Sequence, residues 1–168
     1  MRGTILKTGD IFSIRLENNT KKYFQYVTKD LTQLNSDVIR VFENKYSIDT
    51  SPHISEIVKD EIALYAHCSI MLGIKMNLWE KVGNDERRID FGDVQFRDTN
   101  DYGHKLSNEP IRISKNWHVW KINDKEFKKM GRLEGNYKKS FIGLVFNPLG
   151  VVELAKGNKY PINYPDYE

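Results

Sequence analysis

Ile62-Ala63-Leu64-Tyr65-Ala66-His67-Cys68-Ser69-Ile70-Met71-Leu72-Gly73-Ile74-Lys75-Met76-Asn77-Leu78 decides the fold class. Apolar side chains occupy every second position from Ile62 to Leu78 without a miss. A helix would scatter them around its axis, whereas a strand sets them on one face. The run is longer than an ordinary strand of roughly 3–10 residues. A bend, bulge or tight turn is therefore expected near Gly73. Cys68 lies in this row between Ala66 and Ile70, so it reads as a buried, unreactive core thiol.

Upstream, Phe12-Ser13-Ile14-Arg15-Leu16 alternates in the same way after a Gly9-Asp10 turn. The polar Glu17-Asn18-Asn19-Thr20 leads to a second aromatic, β-prone run, Tyr23-Phe24-Gln25-Tyr26-Val27, so the pair predicts an N-terminal hairpin. Val38-Ile39-Arg40-Val41-Phe42 predicts a third strand. Thr50-Ser51-Pro52 predicts a short helix start, with Ser51 as N-cap and Pro52 in the first turn.

Downstream, residues 84–116 form a polar excursion rich in Asp, Asn, Gly and Arg, with one short strand expected at Val94-Gln95-Phe96. Trp117-His118-Val119-Trp120-Lys121-Ile122 restores a strand. Asp124 predicts the N-cap of a short surface helix ending at Gly131, with Phe127 and Met130 on one face. Phe141–Phe146 and Val151–Leu154 flank Asn147-Pro148-Leu149-Gly150, a spacing that suits a type I turn and a C-terminal hairpin. The tail from 161 to 168 is expected to be irregular. The fold class predicted is mainly β (α+β): a curled or barrel-like antiparallel sheet with one or two short helices, residues 1–168 forming a single domain.

Composition narrows the function classes. The chain has 168 residues, 39% of them apolar, and a net charge of +3. That is enough apolar matter for a core, and too balanced a charge to announce a nucleic-acid binder. No apolar run is long enough for a membrane span, and the opening residues lack the apolar stretch of a signal peptide, so a cytoplasmic protein is expected. A single cysteine excludes an intramolecular disulfide and a multi-cysteine zinc site.

Catalytic and cofactor motifs are missing: no Gly-x-Ser-x-Gly, no phosphate-cradling glycine loop, no His-Glu-x-x-His. His67 adjoins Cys68, but neighbours on a strand point to opposite faces, so the two do not form a nucleophile pair. The four histidines (His53, His67, His104, His118) share no ligand spacing. Asp98 to Glu109 has EF-hand-like spacing, with Asn100 third and Gly103 sixth. Tyr102 at the fifth place and Pro110 beyond the end break the pattern, so a turn-rich surface loop is the expectation, with no metal and no cofactor.

The segment 121–139 holds seven basic residues against three acidic ones. With Trp117, Trp120 and Tyr137 nearby, it offers a face for phosphates, for stacked bases or for an acidic protein.

The opening segment has a further likeness. Gly9-Asp10-Ile11-Phe12-Ser13-Ile14-Arg15-Leu16, a polar turn and Tyr23-Phe24-Gln25-Tyr26-Val27 together resemble the start of the immunity protein 26 family, bacterial proteins associated with polymorphic toxin systems. Members open with a Gly-Asp-x-Phe-x-Ile-x-Leu strand, and a later apolar strand ends in a Trp and then a Gly, as Leu78-Trp79-Glu80-Lys81-Val82-Gly83 does here. Two departures stand out: Arg15 replaces a frequent proline, and Gln25-Tyr26 replaces a small Gly-Arg step. The resemblance implies a β-rich fold, no catalytic residues, and stoichiometric binding that blocks a cognate toxin.

Three functional readings follow. The leading one is a non-enzymatic immunity protein whose partner is a cognate toxin. Its contact candidates are Tyr102 and His104 in the polar excursion and Trp117, Lys125, Lys128, Lys129 and Arg132 in and beside the basic segment. The second is a nucleic-acid-binding β domain using residues 121–139. The third is a ligand-binding or hydrolytic β-barrel whose polar groups meet only in three dimensions.

Overall fold

The computed structural model describes residues 5–87, 89–159 and 163–168. The opening hairpin pairs β1 (Asp10–Arg15) with β2 (Thr20–Asp30). Asn18 and Asn19 make its turn with φ of 58° and 54°, left-handed values that asparagine tolerates and a tight hairpin requires. Next come β3 (Ser36–Phe42), the two-residue β4 (Tyr46–Ser47) and a single helical turn, α1 (Ile54–Ile57). The position before α1 is His53 rather than the expected Ser51.

The long alternating row then divides. Its first part is β5 (Ile62–Cys68), and its second part, expected as more strand, is α2 (Ile70–Lys75). The reason is tertiary. Gly73 lies so close to the Trp79 ring that an added Cβ would stand 1.8 Å from it, and the Trp79 indole N–H donates to the Ile70 carbonyl at 3.0 Å. Both contacts need the chain to turn back over itself, so α2 caps the sheet. β6 (Trp79–Asn84) follows and pairs with β1.

The main sheet has the order β13-β5-β3-β2-β1-β6 with β4 beside β2, where β13 is Val145–Phe146. One face carries Phe12, Ile14, Phe24, Ile39, Val41, Ala66 and Cys68 and is covered by α2 and by α3 (Pro148–Lys156). Cys68 is fully buried, and burial, with the Asp37 charge, pushes its thiol pKa up. The helix α3 replaces the expected C-terminal hairpin. Asn147 is its N-cap, accepting from the Gly150 N–H at 2.8 Å, Pro148 sits in the first turn, and Gly157 closes it at φ 89°. The Asn-Pro-Leu-Gly signal suits a turn and a helix start alike. Burial of Val151 and Ala155 one helical turn apart selects the helix.

The other face of the main sheet meets a second sheet, ordered β11-β10-β7-β12: β7 is Gln95–Thr99, β10 is Trp117–Lys121, β11 is Lys128–Gly131 and β12 is Phe141–Ile142. A two-stranded ribbon, β8 (Lys105–Leu106) and β9 (Glu109–Pro110), projects between β7 and β10. Val27, Val38 and Tyr65 of the main sheet pack with Phe96, Trp120 and Ile122.

At this junction Asp30 and His67 are fully buried, with His67 Nε2 3.0 Å from Asp30 Oδ2 and the Trp120 indole N–H 3.4 Å from the same oxygen. Burial would raise the Asp30 pKa, but the bond from His67 and those from the Thr32 and Gln33 backbone hold it low. Burial lowers the His67 pKa, which keeps the ring neutral. Its Nδ1 has no hydrogen-bond partner among the described residues, so a second ring proton would be buried without an acceptor there.

The fold is thus mainly β with short helices, as expected. Neither sheet closes into a barrel, and β13–β5 and β12–β7 are parallel pairs in an otherwise antiparallel arrangement. Three α-helices are described rather than one or two. Of the expected irregular tail, 161 and 162 lie outside the described residues, and 163–168 has a single β-bridge, Ile113 to Asp166.

Candidate functional site

The second sheet is where polar and aromatic side chains reach the surface together. The segment 124–131, expected as a short helix, is a turn followed by β11. Asn123 at φ 65° reverses the chain, Asp124 accepts from the Lys121 N–H at 2.8 Å, and Lys128 and Lys129 pair with β10. Two apolar residues, Phe127 and Met130, are too few to hold a surface helix against a strand edge that offers hydrogen bonds. The turn places Phe127 over β10, its ring 4.4 Å from His118 and 5.0 Å from Trp120.

His118 lies opposite Asp98 of β7 on one side and Lys129 of β11 on the other. Around these three lies a cleft of about 560 Å³, completed by Asn100, Asn116, Trp117, Phe127 and Gly131. Asp98 Oδ1 accepts from the Thr99 N–H at 2.8 Å and the Tyr164 hydroxyl at 3.0 Å. Burial raises the Asp98 pKa and lowers that of His118, while the pair's mutual attraction opposes both shifts. Asn116 sends its amide N–H groups to Asp101 at 2.9 and 3.1 Å, and Ser114 Oγ reaches the same carboxylate at 2.7 Å. These bonds fix the polar wall of the cleft. No group of three or more metal-ligating side chains assembles among the described residues.

The opposite face of β10 is closed. Trp117 is 1% exposed, donating its indole N–H to the Ser114 carbonyl, and it packs with Val119, Leu133, Tyr164 and Tyr167. The Arg97 guanidinium lies over the Trp117 and Tyr167 rings and donates to the Lys138 and Ser140 carbonyls.

Of the expected contact residues, the structure brings Trp117 and Lys129 to the cleft. Trp117 is too buried to serve as the exposed anchor foreseen for it. Trp120, 2% exposed, is likewise unable to stack a base. Lys125 and Arg132 are exposed on the turn and just past β11, and Lys128 is exposed with its ammonium on the Tyr137 ring and hydroxyl. Tyr102 is 37% exposed against Tyr164, and His104 is exposed on the way to β8. Sequence reasoning did not give a contact role to Asp98, Asn100, Asn116, His118 or Phe127. The missing signal is the register that sets Asp98 across from His118.

Fold and cleft define a class: a β-rich α+β protein with a concave, aromatic-walled surface on its smaller sheet. Within that class the chain belongs to the immunity protein 26 family, whose model matches residues 7–106, more than half of its length. No curated protein and no solved structure matches it. Family membership makes the general partner a toxin. Among the described residues, no helix is long and apolar enough to cross a membrane.

Proposed function

We propose that this protein is an immunity protein that neutralises a cognate bacterial toxin by stoichiometric binding, without turnover, in the cytoplasm of the toxin-producing cell. The observation that carries the reading is the family match over residues 7–106. The contact surface assigned here is the outer part of the second sheet: the cleft, its half-exposed Phe127 wall, and Lys125, Lys128, Lys129 and Arg132 around it. An aromatic wall beside a polar, charged rim is the composition of a protein–protein hot spot. The basic rim suits an acidic toxin surface and would speed encounter. The nucleic-acid alternative loses its stacking platform with Trp117 and Trp120 buried.

The test is co-expression with the toxin domain encoded directly upstream. Survival that depends on this chain, and a one-to-one complex on size-exclusion chromatography, are expected. Cell death despite ample folded protein, or submicromolar binding to DNA or RNA at physiological salt, would overturn the reading.

A further inference from the structure

The cleft beside His118 has a definite chemical polarity. Asp98 uses Oδ1 for the Thr99 N–H and the Tyr164 hydroxyl, and Oδ2 has no partner among the described residues. Asn116 turns its amide nitrogen to both Asp101 oxygens, and its carbonyl oxygen remains an acceptor. Asn100 lines the same end. Against these acceptors stands the wall made by Phe127, 44% exposed, and the His118 ring.

We propose that this cleft seats an arginine side chain of the partner protein, its guanidinium on Asp98 and its plane against the half-exposed Phe127 ring. The inference rests on the reading that this face meets a toxin. Three alternatives fit less well. An anion would meet the Asp98 carboxylate. A neutral ring, such as tyrosine, would seal that carboxylate from water with no counter-charge, which is costly. A lysine ammonium satisfies the charge but cannot stack on the Phe127 ring, whereas a guanidinium is planar, carries five N–H donors and stacks on aromatic faces. Lys129, which lines the cleft on its β11 side, with Lys128 and Arg132 beyond it, then favours acidic residues flanking that arginine.

The experiment titrates the full chain with N-acetyl-arginine amide, and in parallel with the lysine and tyrosine amides, following backbone and His118 ring signals by NMR. Saturable shifts at Asp98, His118 and Phe127 are expected with arginine, with a dissociation constant on the order of millimolar. The lysine amide is expected to bind at least about fivefold more weakly, because it cannot stack. Asp98→Asn should weaken arginine binding at least about tenfold by removing the charge-assisted bond, and Phe127→Ala, a surface change that leaves the core alone, should weaken it severalfold. No saturation with arginine, equal binding by both variants, or preference for lysine or tyrosine would overturn the proposal. A toxin bound one-to-one by a chain whose cleft ignores arginine removes this inference and leaves the immunity reading. An arginine-binding cleft on a chain that protects against no toxin keeps the cleft chemistry and removes the toxin as its source.

Discussion

In the main sheet, Phe12 and Phe24 stack at 5.0 Å, Trp79 meets Phe24 edge-on at 5.2 Å, and all three are buried under α2 and α3. In the second sheet, Trp120 is buried against Val27, Val38 and Tyr65 of the main sheet, whereas Phe127, tilted against His118 and edge-on to Trp120, remains half in solvent. The difference lies in what covers each face. Helices close the first, whereas the main sheet covers the second at Phe96 and Trp120 and a single turn, Lys121 to Phe127, only partly covers it at His118. Aromatic residues thus serve stability in both sheets, and accessible surface at Phe127, where the cover of the second sheet runs out.

The largest effect expected tests that contrast directly. Phe24→Ala should cost about 3–5 kcal/mol, the range for deleting a fully buried ring, and Phe127→Ala about 1 kcal/mol, in line with half burial. Urea unfolding of both variants measures the difference. Equal losses would mean that Phe127 is as much core as Phe24.

Next is the junction between the sheets. Asp30→Ala leaves the His67 Nε2–H and the Trp120 indole N–H buried without their acceptor. A loss of about 2–4 kcal/mol is expected, with the Trp120 fluorescence altered in the folded state. A variant as stable as the parent would show that the two sheets are not joined through this carboxylate.

The same site sets a pH dependence. The His67 pKa is lower in the folded protein than in the unfolded chain, where it is about 6.5. Between these values the unfolded state binds the extra proton, so stability is full above about pH 6.5 and falls as the pH drops below it, by at most about 1.4 kcal/mol per pH unit. His118, shifted in the same direction, adds to the fall. Denaturant midpoints from pH 7.5 to 5 should show this slope, and His67→Phe should reduce it to the part owed to His118. A slope unchanged in His67→Phe would place the proton elsewhere.

The smallest effect on stability should come from reversing Lys125, Lys128 and Lys129 to Glu, since all three are exposed. The change in unfolding free energy should stay within about 1 kcal/mol, while toxin association slows markedly and loses its salt dependence. Stopped-flow mixing at two ionic strengths separates the outcomes, and unaltered kinetics would move the contact surface away from this rim.

How far the sequence reveals these regions follows the same division. β1 and β5 alternate because the layer under α2 and α3 takes every second residue, whereas β2 and β3 read as strands through near-continuous aromatic and β-branched runs, Phe24 and Ile39 facing that layer and Val27 and Val38 facing the second sheet. Their limits are less legible: β2 runs from Thr20 to Asp30, well beyond the Tyr23–Val27 run that announces it. Ile70 to Leu78 misleads because its alternation does not mark one buried face: in and just after α2, Ile70, Ile74 and Leu78 pack on the core while Leu72 and Met76 are exposed, and only the Gly73–Trp79 contact decides. Val151 to Leu154 misleads for a similar reason, β-branched residues being drawn into α3 by burial at Val151 and Ala155. The cleft was least legible. Asp98, His118 and Lys129 are distant in sequence and meet only through strand register, and Phe127 reaches them through a turn that imitates a helix cap.

The family match ends at Leu106, after β7 but before both strands that pair with it, β10 and β12. A chain shortened there would present a bare strand edge and strip Phe96, Tyr65, Val27 and Val38 of their cover. It should self-associate rather than fold into a smaller soluble unit. The same geometry constrains recombination: a C-terminal segment grafted after Leu106 must bring its own equivalents of Trp120 and Phe141 to lie against Phe96, whatever surface it shows outward. Variation in the outer turns and rim is therefore free to diverge, while the inward side of the graft stays bound to the host sheet.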